Sequence, residues 1–180
     1  MATAAAGRQA RFEAVMEAVY EPLQRYARRR CDPDAADDVV ADALLVVWRR
    51  LEEVPDGALL PWCYRVAANC LANSRRAAGR RVRLATRVAT LDPPRDVHDP
   101  TPPDPELHAA LNTLSSSDQE VLRLWAWEDL APTEIAVALG VSANAVSIRL
   151  HRAKGHLAQA LERAGSPLDT DHHEDPEEVT

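Results

Sequence analysis

Residues 133–153 read Thr133-Glu-Ile-Ala-Val-Ala-Leu-Gly-Val-Ser-Ala-Asn-Ala-Val-Ser-Ile-Arg-Leu-His-Arg-Ala153. A short apolar stretch, a glycine and a longer amphipathic stretch are the pattern of a helix-turn-helix. Ile135, Ala136, Leu139, Val141, Val146 and Leu150 supply its small core. Gly140 is a stop signal for a first helix over Thr133–Leu139, because glycine enters the left-handed region without a Cβ penalty. Ser142 caps a second helix that should run to about Ala164. That helix presents Asn144, Ser147, Ile148, Arg149, His151 and Arg152 over its remaining arc. Arginine can read guanine bidentately and asparagine can read adenine, while hydroxyls and other cations hold phosphates. A helical hairpin with a solvated charged face is the plainer alternative. The coincidence of turn, cap and basic helix favours DNA.

Working outward, Leu107, Leu111 and Leu114 mark a short helix that starts near Pro105. Ser117-x-x-Glu120 fits a capping box ahead of a helix carrying Val121, Leu122 and Trp125. Upstream, residues 92–105 hold six prolines and four aspartates. Such a stretch forms neither a helix nor a core strand and reads as a semi-stiff linker between two folded parts. At the other end, residues 166–180 carry six acidic and no basic groups, an acidic tail expected to be disordered. His172 and His173 within it suit adventitious metal binding at most. The boundaries are therefore 8–87, a linker over 88–105, 106–165, and the tail over 166–180.

The first part also reads as helices. Phe12, Val15, Val19, Leu23 and Tyr26 recur at three- and four-residue steps, after a frayed start over residues 1–7. Pro22 should kink or break this helix. Cys31-Asp-Pro-Asp34 is a turn. A second helix follows from about Asp34, with Val39, Leu44, Val47 and Leu51 near one face and Asp34, Asp37 and Asp38 in its dipole-favoured first turns. Glu52–Leu60 reads as a loop. A third helix starts near Pro61 and runs to about Arg83. The fold class is all-α: two small helical domains joined by a Pro/Asp-rich linker, the C-terminal one a helix-turn-helix.

The charge is segregated. The 180-residue chain has a net charge of −7, yet residues 1–90 carry 15 basic and 11 acidic groups, and the excess acid lies in the linker and the tail. Between Asp56 and Asp92 there are seven arginines and no acid: Arg65, Arg75, Arg76, Arg80, Arg81, Arg83 and Arg87. Such a block on a helix is a phosphate-binding stripe. Trp62, Tyr64, Asn69 and Asn73 lie among these residues, and aromatics next to cations suit unstacked bases. The helix from Asp37 to Arg50 mixes Asp38, Asp42, Arg49 and Arg50 with Val46 and Trp48, a surface suited to a partner helix. No Gly-rich phosphate loop, H-E-x-x-H or nucleophile elbow occurs, so no catalytic, metal or cofactor site is expected. Cys31, Cys63 and Cys70 contain no C-x-x-C pair and read as small buried hydrophobes. No run of 18 apolar residues exists for a membrane span, and a cytoplasmic protein is expected.

Taken in order, the signals resemble the extracytoplasmic-function (ECF) group of sigma factors in the sigma-70 family. Asp37-Asp-Val-Val-Ala-Asp-Ala-Leu-Leu-Val-Val-Trp-Arg-Arg50 is similar to the region 2 helix that docks on core RNA polymerase. Pro61-Trp-Cys-Tyr-Arg-Val-Ala-Ala-Asn-Cys-Leu-Ala-Asn-Ser-Arg-Arg76 is similar to the segment that melts and reads the −10 element. Leu114–Leu161 is similar to region 4, which reads the −35 element. The resemblance implies core RNA polymerase (β′ and β subunits) as a partner, with β′ contacts at Asp38, Val39, Asp42, Leu45 and Trp48. It implies −10 contacts at Trp62, Arg65, Asn69, Asn73, Arg75 and Arg76, with Glu52–Leu60 as a base-capturing loop. It implies −35 contacts at Ser142, Asn144, Ser147, Arg149 and Arg152, and an anti-sigma factor as a further partner. Ala41, Ala68, Ser147 and Ile148 depart from residues frequent in the family, where glutamine, arginine, a basic residue and serine are common. The rival reading is a one-component regulator that binds an operator as a dimer. It leaves the arginine stripe and the docking-like helix without a role.

Overall fold

A computed structural model describes residues 2–55, 57–88 and 104–165. Helix α1 spans Ala2–Arg28, α2 Pro33–Arg49 and α3 Leu59–Val88; α4 spans Pro105–Asn112, α5 Ser116–Ala126, α6 Pro132–Leu139 and α7 Ala143–Gly165. A 3-10 turn at Leu51–Glu53 follows α2, and no strand occurs among the described residues. The linker expected over 88–105 and the tail over 166–180 fall largely or wholly outside the described residues, as do the side chains of Arg81, Arg83 and Arg87.

Asp32 shows how local chemistry sets the first helical corner. Its carboxylate accepts the Ala35 amide at 2.9 Å, and Pro33 takes the first helical position, where a missing N–H costs nothing. The inner face of α2 is Ala36, Val39, Val40, Ala43 and Val47, all buried. Against it lie Val19, Leu23, Tyr26 and Ala27 of α1 and Cys63, Val66, Ala67, Cys70 and Leu71 of α3. The three helices pack pairwise. Two expectations change here. α1 begins at Ala2, so residues 2–7 are helical rather than frayed, and Pro22 lies inside a continuous helix. Packing of the following turn, with Leu23, Tyr26 and Ala27 at 0–2% exposure, offsets the hydrogen bond that proline removes.

The C-terminal helices follow the same logic with one reassignment. The cap of α5 is Ser115, whose Oγ accepts the Asp118 amide at 3.2 Å. Ser117 lies inside the helix, so the expected Ser117–Glu120 box is not formed. A reciprocal bond of that kind occurs instead at the start of α6, where the Glu134 carboxylate accepts the Ala131 amide at 2.8 Å. That helix ends at Gly140, φ 68° and ψ 37°, the left-handed stop read from the sequence. Ser142 Oγ accepts the Ala145 amide at 3.2 Å and starts α7. Leu111, Val121, Leu122, Leu150 and Ala153 form a core of their own, lined by Leu107, Leu114, Leu139 and Leu157.

That local core is not the whole packing. Leu124, Leu130, Ile135, Ala136, Ala138 and Val146 join the buried cluster of α1–α3, and α6 packs along α3. The two helical units share one continuous apolar core across their boundary.

Candidate nucleic-acid and polymerase interfaces

The outer face of α2 carries Asp38, Asp42 and Leu45 at four- and three-residue steps, which places them on one stripe. All three are exposed, Leu45 by 52%. Trp48 continues the stripe and is partly covered from α1. Phe12 meets it edge-on with ring centroids 5.1 Å apart, and the Arg8 guanidinium lies 4.8 Å over its ring. An exposed leucine and a half-exposed tryptophan flanked by carboxylates form an amphipathic strip of the kind that seats a partner helix. Val39 does not belong to it. The side chain is 1% exposed and sits in the core, because it shares the inward arc with Ala36 and Ala43.

On α3, Trp62, Arg65, Asn69, Asn73 and Arg76 follow one another at three- and four-residue steps. Trp62 is half-buried, the other four are exposed, and all stand on the side away from Cys63 and Ala67. Arg50, Trp62, Arg65, Val66 and Asn69 line a recess of about 190 Å³. The Arg50 guanidinium lies 5.6 Å from the Trp62 ring centroid and is anchored by Glu53. An aromatic wall with cationic and amide rims suits a base withdrawn from its stack. Arg76 donates to Asn73 Oδ1 at 2.6 Å, and Arg75 donates to the Arg30 carbonyl at 2.7 Å. That bond, made just past the end of α1, uses one of the five guanidinium donors of the exposed Arg75. The segment ahead of this helix is shorter than the expected loop: the 3-10 turn ends at Glu53 and α3 starts at Leu59.

On α7, Asn144, Ser147 and Arg152 are exposed, Arg149 is half-buried, and Ile148 is exposed beside them. Ser147 Oγ donates to the Ala143 carbonyl at 3.0 Å, which leaves its lone pairs available to accept. Opposite this surface, Val146, Leu150 and Ala153 are buried.

A fourth cluster has no counterpart in the sequence reading. Arg30, in the turn that follows α1, bonds Glu120 of α5 and Glu128 of the α5–α6 turn, each at 3.1 Å. The Arg30 and Glu128 side chains are 3% and 2% exposed. Arg29 adds 3.2 Å to Glu128 and 3.1 Å to the Trp127 carbonyl. The Tyr26 hydroxyl donates to Glu120 at 3.3 Å, and its ring lies 3.6 Å beneath the Arg30 guanidinium. Burial works against the Arg30 charge, but Tyr26, Glu120 and Glu128 outweigh it and hold the guanidinium above its ordinary value. Burial, then Glu120, pushes the Tyr26 hydroxyl up. Asp129 turns the chain here at φ 52°, a conformation short polar side chains tolerate. Glu120 read locally as a capping residue, and no spacing rule links it to an arginine 90 residues away.

The cysteines are free thiols. Burial pushes Cys63 up to about 12 and raises Cys70 and Cys31 as well.

Family models match both units: Sigma-70 region 2 over residues 15–81 and Sigma-70, region 4 over residues 105–157. The chain is 32% identical to RNA polymerase sigma-E factor of Streptomyces avermitilis, over 84% of this chain and 85% of that one. It is 28% identical to RNA polymerase sigma factor NccH of Alcaligenes xylosoxydans, over 88% and 91%. Among solved structures, CnrH in complex with the cytosolic domain of CnrY is similar at a TM-score of 0.61 and 30% identity, over 92% of this chain and 96% of that one. RpoE of Bartonella quintana, solved with the anti-sigma factor NepR, shares the fold at a TM-score of 0.62 and 22% identity, over 84% and 96%.

Proposed function

The chain belongs to the ECF group of the sigma-70 family and is a sigma factor in transcription initiation; from that premise we propose how its own residues divide the work. Asp38, Asp42, Leu45 and Trp48 contact core polymerase, at its β′ subunit. Trp62, Asn69 and the Arg50–Arg65 rim capture a base of the melted −10 element, while Asn73, Arg75 and Arg76 hold the neighbouring backbone. Ser142, Asn144, Ser147, Arg149 and Arg152 meet the −35 element from α7. The observation that carries this division is the recess between Arg50, Trp62, Arg65 and Asn69, on a helix with no acidic residue along its length. Phosphates meet no repulsion along such a helix.

The one-component regulator finds no support beside a region 2 match over residues 15–81. No enzyme family is indicated. The boundaries 8–87 and 106–165 remain part of the proposal, with residues 88–105 as the tether. An anti-sigma protein is proposed as a further partner, on the precedent of RpoE with NepR. No single helix among the described residues is long and apolar enough to cross a membrane, and the proposed site of action is the cytoplasm, where polymerase and promoter are. The acidic linker over 88–105 and the tail over 166–180 are proposed to disfavour binding to free DNA. Deleting 166–180 should then raise free-DNA affinity at low salt, and unchanged affinity removes that role.

The test is reconstitution with bacterial core polymerase stripped of sigma. The expected result is tight co-purification and run-off transcripts from a specific promoter. Specific transcripts that survive Trp62→Ala and Asn69→Ala unchanged would remove the base-capture assignment. Failure to bind core would remove the docking assignment as well.

A further inference from the structure

Arg65 of α3 and Gly140 at the helix-turn-helix are in contact: a Cβ built on Gly140 would stand 2.9 Å from the Arg65 guanidinium. The proposed −10 surface and the start of the proposed −35 helix therefore touch. On a promoter the two elements lie about 25 base pairs apart, which is about 85 Å at about 3.4 Å per pair. Surfaces in contact cannot read sites separated by that distance. The conformation described here is a closed one, and reading both elements requires the shared core between α3 and α6 to part. The chain from residue 88 to residue 105 can span at most about 60 Å, enough, with the width of the units, to let them separate.

What holds the closed form is not apolar burial alone. Arg30 crosses from the first unit to Glu120 and Glu128 of the second, and Arg29 and Tyr26 reinforce the same two carboxylates. A buried ion pair gives up hydration as it forms, so its net stabilisation is small against rehydrated, separated partners. It nevertheless demands one geometry, since either charge left buried alone is costly. The combination is specific in register yet reversible, which suits a contact that must open.

We infer that Arg30, with Glu120 and Glu128, is a latch that holds the free protein closed and unable to read both promoter elements, and that core polymerase opens it. The inference rests on the sigma reading for its consequence at the promoter, but closure itself is testable without polymerase or DNA. The first measurement is the radius of gyration by small-angle X-ray scattering, with helical content by circular dichroism as the folding control. Arg30→Glu should retain its helicity and raise the radius by about 5 Å, as two units of about 12 Å radius separate. Glu128→Gln keeps the side chain's size and removes its charge, and should move the radius in the same direction by less. The charge swap, Arg30→Glu with Glu128→Arg, should return the radius toward that of the parent, which loss of packing alone would not do.

The second measurement is association with core polymerase. If the closed form limits the competent fraction, the opened variants should bind core about five- to tenfold more readily. A radius unchanged in both Arg30→Glu and Glu128→Gln overturns the latch. So does an expanded parent protein. If the variants expand while no form binds core, the latch stands and the sigma assignment of these surfaces fails.

Discussion

Gly140→Ala separates backbone strain from steric conflict at the centre of the helix-turn-helix. The residue sits at φ 68° and ψ 37°, with its amide donating to the Ala136 carbonyl at 2.8 Å. An L-residue in that region costs about 1–2 kcal/mol. The new methyl would also fall 2.9 Å from Arg65 Cζ and Nη2. Those atoms are the far end of an exposed, flexible side chain, and a small swing of the guanidinium relieves the contact. Strain should therefore dominate, and the expected loss is about 1–2 kcal/mol in urea denaturation followed at 222 nm, with little change in the denaturant slope. In an Arg65→Ala background the same loss should recur to within about 0.5 kcal/mol, because the backbone term does not involve Arg65. Gly140→Asn should lose less, since asparagine visits the left-handed region more readily. A neutral Gly140→Ala, or a loss that vanishes without Arg65, would refute this reasoning.

Other outcomes follow from the same geometry. Val39→Ala should destabilise the chain by roughly 1–3 kcal/mol as a core truncation, whereas Leu45→Ala should stay within about 0.5 kcal/mol yet weaken binding to core polymerase. A reversed pattern in paired denaturation and pull-down assays would restore Val39 to the docking surface. Ser142→Ala removes the acceptor for the Ala145 amide and should cost about 1 kcal/mol, while Ser142→Asn should recover most of that stability in the same denaturation series. Cys63 and Tyr64 are both pushed up to about 12 by burial, from 9.0 and 10.0. The folded state thus holds these protons more tightly than the unfolded chain. Their contribution is complete below pH 9 and falls as pH rises from there through about 12. A urea midpoint that stays flat from pH 9 to pH 11 would contradict it. At pH 8 the half-buried Cys31 should react with a thiol reagent before Cys63, which is 0% exposed; equal rates would indicate that the first unit opens readily.

What residues 133–153 determine by themselves is short in range. Gly140 ends one helix and Ser142 begins the next because both signals act within a few residues, through a permitted φ and a side-chain acceptor. Asp32 and Pro33 start α2 in the same way, and the acid-free stretch from Gly57 places a cationic surface on α3 whatever packs behind it. These features made the all-α class, the helix-turn-helix and the exposed arginine face legible. The apolar face of Val39, Leu44, Val47 and Leu51 was also legible from its periodicity. Tertiary structure decided that Val39 stays in that core with Val19, Leu23 and Cys63, and not at the polymerase surface the resemblance implied, while Leu45 stands outside it. The fate of Pro22 was likewise decided by the packing of Leu23 and Tyr26, which carries α1 past a residue that would end an isolated helix. Glu120 illustrates the deepest limit of local reading. Its spacing from Ser117 fits a cap, but its carboxylate meets Arg30 and Tyr26 across the boundary between units. Spacing rules stop at one or two helical turns, and an ion pair bridging 90 residues exists because two apolar surfaces brought its charges together and excluded the water that would otherwise have solvated them.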